Sequence, residues 1–158
     1  METLDRLRLN ASYMKNIVAW ERYPARPARF GSWPAGLDPR LVAAVRRRGI
    51  EALYTHQSQA VEAALRGENV VVVTGTASGK TLCYNLPVLH ALLADPQARA
   101  LYLFPTKALA QDQANELGQF VGALGESIAV RTYDGDTPQS QRGGIRKAGG
   151  VLISNPGA

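Results

Sequence analysis

The chain has 158 residues, 46% of them hydrophobic and 20% charged, with a formal net charge of +5. That length holds one domain and an appendage around a real core, and the composition is that of a soluble globular protein. A lone cysteine, Cys83, excludes an internal disulfide or a cysteine metal cluster, and no apolar run is long enough to cross a bilayer.

The N-terminus, Met1 to Arg6, lacks a secretory core, so a reducing cytoplasm is the expected compartment. Charge is spread unevenly. Through Gly49 there are ten Lys/Arg against four Asp/Glu, and the remainder carries eight against nine. The excess includes Arg22, Arg26, Arg29 and the run Arg46-Arg47-Arg48, a pattern that suits polyanions and equally suits a solvated helix face.

Residues 1–36 read as an irregular accessory arm. Pro24, Pro27 and Pro34 forbid long helices there, while Tyr13, Trp20, Tyr23, Phe30 and Trp33 offer rings to pin the arm to a neighbour. Asp38-Pro39 is an N-cap and first-turn pair that opens a helix ending by Gly49. Thr55 is expected to cap a second helix over Val61, Ala64 and Leu65, stopped by Gly67. A strand near 69–74 precedes a helix over about 79–94, and a strand near 99–104 precedes a helix over about 107–121. A strand near 128–132, a helix begun by Thr137-Pro138 and a strand at 150–154 complete the order. This alternation predicts an α/β fold, a parallel sheet with helices on both faces and ligands at the carboxyl ends of its strands. The stop at Ala158, straight after a strand and an Asn-Pro turn, is expected to be a truncation, since nothing would cover the last strand.

The strongest chemical signal is Val70-Val71-Val72-Val73 running into Thr74-Gly75-Thr76-Ala77-Ser78-Gly79-Lys80-Thr81. Four β-branched residues predict a strand buried on both faces. The small residues Gly75, Thr76, Ala77, Ser78 and Gly79 let backbone N–H groups converge on an anion. Lys80 supplies a charge for the β/γ-phosphates and Thr81 a hydroxyl for Mg²⁺, while the following helix turns its positive end to the same phosphates. Thr74 stands where G-x-x-x-x-G-K-[ST] has its first glycine.

Four further segments fall at strand ends or helix starts. Gln57 carries an amide suited to adenine N6 and N7. Pro105-Thr106-Lys107 gathers a hydroxyl, a cation and helix N–H groups fit for a backbone phosphate. Tyr133-Asp134-Gly135-Asp136-Thr137-Pro138 and Ser154-Asn155-Pro156 repeat that arrangement; Asp134 and Asp136 read as turn-capping side chains. His56 belongs to the helix start beside Gln57, and His90 reads as filler on the helix after the loop.

Together these residues resemble the DEAD/DEAH-box helicase superfamily over roughly residues 37–157. Gln57 is similar to the Q motif, Thr74 to Thr81 to motif I, Pro105 to Gln111 to motif Ia, and Ser154-Asn155-Pro156 to the T-N-P-type motif. Arg40 stands near the place of the aromatic that usually precedes such a Q motif. The wording of the loop, with Tyr133 to Pro138 and Arg142, is similar to the bacterial YprA/MrfA branch of DNA helicases.

The resemblance implies a RecA-like first motor domain over 37–158, incomplete at its C-terminus, in an ATP-dependent DNA helicase. ATP and Mg²⁺ would be held by Gly75 to Thr81, with Lys80 and Thr81 serving catalysis and Gln57 and Tyr54 the base. Single-stranded or partly duplex nucleic acid would be gripped by Pro105, Thr106, Lys107, Gly135, Thr137, Arg142 and Ser154. The preference for DNA, and an expected setting in DNA repair, come from the branch alone. The acidic Mg²⁺ motif is expected beyond Ala158 and the completing arginines in a second motor domain in cis, so this piece should hydrolyse ATP negligibly. Two alternatives are a translocating restriction or remodelling subunit and a nucleic-acid-binding fragment with a vestigial loop. A nucleotide kinase lacks the Gln57 and Pro-Thr-Lys features.

Overall fold

The computed structural model describes residues 3–25 and 27–156; Arg26 of the basic segment and both chain ends lie outside them. Two short helices, α1 (Thr3–Leu9) and α2 (Ala11–Met14), begin the arm, in keeping with its prolines. Further along, β1 (Phe30–Gly31) pairs antiparallel with β2 (Leu53–Tyr54), bracketing α3 (Pro39–Arg47). Asp38 caps α3, its carboxylate accepting from the Arg40 N–H at 2.8 Å, and Pro39 fills the first turn.

The helix α4 (Thr55–Leu65) departs from expectation at its start. Tyr54 holds the cap position and Thr55 is the first helical residue, its hydroxyl donating to the Arg29 carbonyl at 3.0 Å. The end of the arm is thereby fastened to α4. Ser58 Oγ donates to the Ser32 carbonyl at 2.5 Å, and a Cβ on Gly31 would sit 2.7 Å from Ser58 Cβ, so only glycine permits that approach.

The remaining elements are α5 (Thr81–Ala94), β3 (Arg99–Leu103), α6 (Lys107–Leu124), β4 (Val130–Tyr133), α7 (Gln139–Lys147) and β5 (Gly150–Ser154). The three strands form a parallel sheet in the order β3-β5-β4. Helical spacing places Ala110, Leu117, Phe120 and Val121 of α6 on one buried face, which meets Leu86 and Leu89 of α5, Leu41 and Val45 of α3, and Val151 and Ile153 of β5 in one core. Tyr102 joins that core from β3. Its hydroxyl donates to Asn85 Oδ1 at 2.9 Å, and burial pushes its ionisation far above the ordinary tyrosine range. The opposite face contacts α7 through β4 and leaves Leu101 and Leu103 of β3 exposed.

The valine run overturns one expectation. Residues 69–74 join no ladder among the described residues, and Val71 and Val73 are each 88% exposed instead of buried on both faces. β-branching supplies a local preference, but a strand becomes buried only through neighbours. Here a cleft of about 770 Å³, lined by Val70, Val72 and Phe104, lies against α5.

The basic run also resolves into internal contacts. Arg40 pairs with Asp38 and Glu126, Arg48 with Glu116 while lying over the Phe120 ring, and Arg47 donates to the Ala123 carbonyl. Arg46 lies over Trp33. These contacts make the helix-face reading of Arg46 to Arg48 the better one.

Candidate nucleotide site and nucleic-acid interface

The loop from Thr74 to Thr81 links the valine run to the start of α5. Two of its residues take left-handed backbone, Ala77 at φ 56° and Gly79 at φ 71°. Such a bend turns successive N–H groups to one side, and at Ala77 it carries the strain of a Cβ. Lys80 Nζ curls back into the bend, donating to the carbonyls of Gly75 at 2.6 Å and Thr74 at 3.1 Å. Thr74 Oγ1 and Ser78 Oγ lie 2.6 Å apart, so Thr74, in the place of the first glycine, joins its hydroxyl to the loop. The N–H groups of Gly79 and Lys80 donate no hydrogen bond among the described residues. A cation held only by neutral carbonyls and hydroxyls, next to free donors, is arranged to receive an anion.

The amide predicted to read adenine is in contact with this bend. Gln57 Nε2 donates to the Gly79 carbonyl at 2.8 Å, and Gln57 Oε1 accepts from the Tyr54 N–H at 2.8 Å. An amide has two hydrogens and two lone pairs, so one of each stays available, the pair that adenine N7 and N6 require. A Cβ on Gly79 would stand 2.5 Å from Gln57 Nε2, which makes glycine obligatory there for space as well as for φ.

Gln57, Tyr54, Ala77, Gly79 and Thr81 line one cleft of about 660 Å³ together with Phe30. The Phe30 and Tyr54 rings stack at 5.3 Å between centroids, inclined by 15°. Phe30 thus brings an aromatic ring to the cleft that Gln57 lines. The sequence shows it only as one of several rings in the arm, because its place beside Tyr54 depends on the β1–β2 pairing.

At the sheet's carboxyl edge the predicted nucleic-acid residues do come together. Strands in a sheet lie about 4.8 Å apart, so the ends of β3 and β4 are about two spacings from one another, with β5 between. Lys107, just past β3, spans that distance: its Nζ pairs with Asp136 and lies 3.8 Å from Asp134. The pairing holds the Asp136 carboxyl below its usual range and Lys107 above its own, the hydrogen bond between them being the main cause of each.

The 134–137 turn is tied from within. Asp134 Oδ1 accepts from the Asp136 N–H at 2.9 Å, and the Asp134 N–H donates to Thr137 Oγ1 at 2.9 Å. Arg142 Nε donates to the Thr137 carbonyl at 3.0 Å and Nη2 to the Asp134 carbonyl at 3.2 Å, with the guanidinium over the Tyr133 ring. Gly135 is exposed at the tip.

Ser154 is buried, and its hydroxyl donates to the Tyr133 carbonyl at 2.6 Å, tying β5 to β4. Beside it Asn155 Oδ1 is buried without a hydrogen-bond partner among the described residues. Thr106 caps α6, its Oγ1 accepting from the Leu109 N–H at 3.3 Å, and Pro105 is exposed before it. Lys80 and Thr81 share a cleft with Phe104 and Leu109, which joins the nucleotide loop to this edge.

The two histidines and the cysteine have defined surroundings. His56 Nε2 lies 3.0 Å from the Ser78 carbonyl, and His90 Nδ1 accepts from the Asp38 N–H at 3.2 Å. His90 therefore ties α5 to the cap of α3. Cys83 is buried, and desolvation pushes its thiol up, away from the reactive thiolate.

A phosphate loop met by a Q-type amide, with threonine–lysine and turn segments at the strand tips, defines a nucleotide-dependent motor domain. Residues 54–158 match the model of the DEAD/DEAH box helicase family, and the chain belongs to that family. It is 51% identical over 142 residues to the ATP-dependent helicase YprA of Bacillus subtilis, covering 90% of this chain and 19% of YprA.

Among solved structures it is similar to the helicase MrfA bound to DNA and AMPPNP. The TM-score is 0.86 and the identity 47%, covering 98% of this chain and 22% of that one. The RNA helicase Prp28 from Chaetomium thermophilum, bound to ADP, gives a TM-score of 0.64 at 27% identity, covering 86% of this chain and 35% of that one. The α/β fold is thus that of RecA-like helicase domains. The chain spans about a fifth of the length of YprA and of MrfA. No helix among the described residues is long and apolar enough to cross a membrane.

Proposed function

We propose that residues 37–158 form the N-terminal part of the first motor domain of an ATP-dependent DNA helicase. Residues 1–36 act as an accessory arm whose end, from Arg29, completes the base pocket. The observation that carries this reading is the Gln57 amide, bonded to the bend that holds Lys80 and keeping one donor and one acceptor for a base stacked near Phe30 and Tyr54. The likeness to a helicase bound to DNA and AMPPNP supports it.

In this reading Lys80 leaves the loop carbonyls for the β/γ-phosphates, and the N–H groups of Gly79 and Lys80 bind phosphate oxygens. Thr81, first residue of α5, offers one hydroxyl to Mg²⁺. Among the described residues no cluster of three His, Cys, Asp or Glu gathers. When bound, Mg²⁺ neutralises charge developing on the phosphates.

Single-stranded DNA runs over Pro105, Thr106, Lys107, Gly135 and Thr137, with Ser154 and Arg142 acting from beneath to hold the strand tips. The whole protein couples ATP hydrolysis to translocation and unwinding. The acidic group and arginines that complete hydrolysis come from its other parts, including a second motor domain. The cytoplasm, where a lone thiol stays reduced, is the compartment, and DNA repair the setting.

Titration of the chain with fluorescent ATP tests the nucleotide claim. Wild type should bind, and Lys80→Ala should lose at least tenfold in affinity, as expected for a charged partner of phosphate. Equal binding by the two would remove the nucleotide site.

A further inference from the structure

His56 stands in the first turn of α4 beside Gln57, half-buried, and neither base reading nor charge neutralisation uses it. Its Nε2 meets the Ser78 carbonyl at 3.0 Å, and a carbonyl oxygen only accepts, so that nitrogen carries the proton. The next residue repeats the contact one peptide further on, Gln57 Nε2 to the Gly79 carbonyl at 2.8 Å. Two adjacent side chains of one helix therefore hold two consecutive carbonyls of the phosphate loop.

Peptide planarity turns this into chemistry. The peptide bonds here are trans, so each C=O points opposite to the N–H of the following residue in the same plane. Drawing the Ser78 carbonyl toward α4 sends the Gly79 N–H away from it, and drawing the Gly79 carbonyl does the same for the Lys80 N–H. Those are two N–H groups left without an acceptor in the loop.

We propose that His56 is a positioning residue of the nucleotide site, its Nε2–H holding the Ser78 carbonyl so that the Gly79 N–H is aimed at the triphosphate before it arrives. This rests on the nucleotide-site reading above. Preorganised donors are worth more than ones that must turn at the moment of binding. The imidazole is held in turn by the Tyr54 ring, stacked on it at 5.9 Å and 13°, and Tyr54 stacks on Phe30. A base seated at Phe30 and Tyr54 would therefore steady the ring that orders the phosphate loop.

Two substitutions separate donation from packing. His56→Phe keeps a flat ring against Tyr54 and removes the donor; His56→Gln removes the ring and keeps a donor nitrogen. The first readout is the NMR position of the Gly79 amide in the nucleotide-free chain, with the His56 ring ¹⁵N shifts reporting which nitrogen is protonated. The second is affinity for ATP, for inorganic triphosphate and for GTP.

Positioning predicts that His56→Phe moves the Gly79 amide and weakens ATP and triphosphate alike by about fivefold, the value of one backbone hydrogen bond. The ATP-to-GTP ratio should stay unchanged, and His56→Gln should recover most of the loss. An unmoved Gly79 amide in His56→Phe, or a loss in His56→Gln alone, would overturn the proposal in favour of ring packing. Should Lys80→Ala bind ATP as wild type does, the nucleotide site itself has failed, and the Gly79 amide alone decides whether His56 orders the loop.

Discussion

Two loops, one leading into α5 and one following β4, are built on one plan and left in opposite electrostatic states. In the phosphate loop, side chains of α4 hold the carbonyls of Ser78 and Gly79; in the 134–137 turn, Arg142 of α7 holds those of Asp134 and Thr137. Each loop thus has its backbone fixed from behind by a helix. They differ in what the nearby lysine touches. Lys80 rests on neutral carbonyls and hydroxyls, whereas Lys107 rests on two carboxylates. On the proposed reading, a triphosphate would displace only dipoles, whereas a nucleic-acid phosphate would displace an anion of its own kind, so the first site would be ready and the second guarded.

The sharpest way to break the first half of this comparison is Gly79→Ala. The added methyl meets Gln57 Nε2 and must sit at a φ of 71°. Left-handed backbone alone costs a non-glycine residue about 1–2 kcal/mol, and relief of the clash would push the amide out of reach of the bend. ATP affinity should fall by more than tenfold, while oligonucleotide binding should not change. If both fall together by thermal denaturation, the loop is a structural hinge of the whole domain and the two ends are not separable.

Arg142→Ala makes the matching cut at the other end, with a smaller effect. It removes two hydrogen bonds and a cation–ring contact from the 134–137 turn but leaves the core in place. Binding of a short single-stranded DNA should weaken about five- to tenfold with ATP affinity unchanged. Arg142→Lys should restore little, because an ammonium cannot fork to two carbonyls while stacking on Tyr133. Full recovery by lysine would make Arg142 a phosphate contact by charge and not the brace of a turn.

How much of this was legible in the sequence depends on the range of the forces involved. The Asp38-Pro39 start of α3, the start of α6 near residue 107 and the Gly-Lys-Thr corner are local and were readable from neighbouring residues, whereas Thr106 reads as a phosphate contact and not as the cap it forms. The valine run illustrates the limit: β-branching is local, but burial depends on partners far along the chain, and residues 69–74 find none among those described. Phe30 was hidden likewise, since its place beside Tyr54 requires pairing across 24 positions.

At the sheet's carboxyl edge the residues named from the motifs lie near one another. Their hydrogen bonds, however, are set by sheet order. Ser154 turns its hydroxyl to Tyr133 because β5 lies between β3 and β4, and Lys107 reaches Asp136 over the same strand. The spacing of residues along the chain says nothing of that order.

The guard itself is open to a test with a smaller effect than the others. Asp136→Asn keeps the shape of the turn and the backbone bond to Asp134 but frees half of what holds Lys107. Because both partners are exposed, single-stranded DNA should bind only about two- to threefold more tightly at low salt, with the gain shrinking as added salt screens the pair. Lys107→Ala should erase the gain, so the double variant must behave as Lys107→Ala alone apart from the general effect of one charge removed.

The sign with pH follows from the direction of each shift. Asp136 ionises below the ordinary carboxylate range and Lys107 above the ordinary ammonium range, so both stay charged from about pH 6 to 8, and the ratio of variant to wild type should be flat there. Only as pH falls through the depressed pKa of Asp136 should wild type approach the variant. A gain that persists without Lys107 would mean that Asp136 repels DNA from a distance; no gain at all would mean that Lys107 is not what the strand must win.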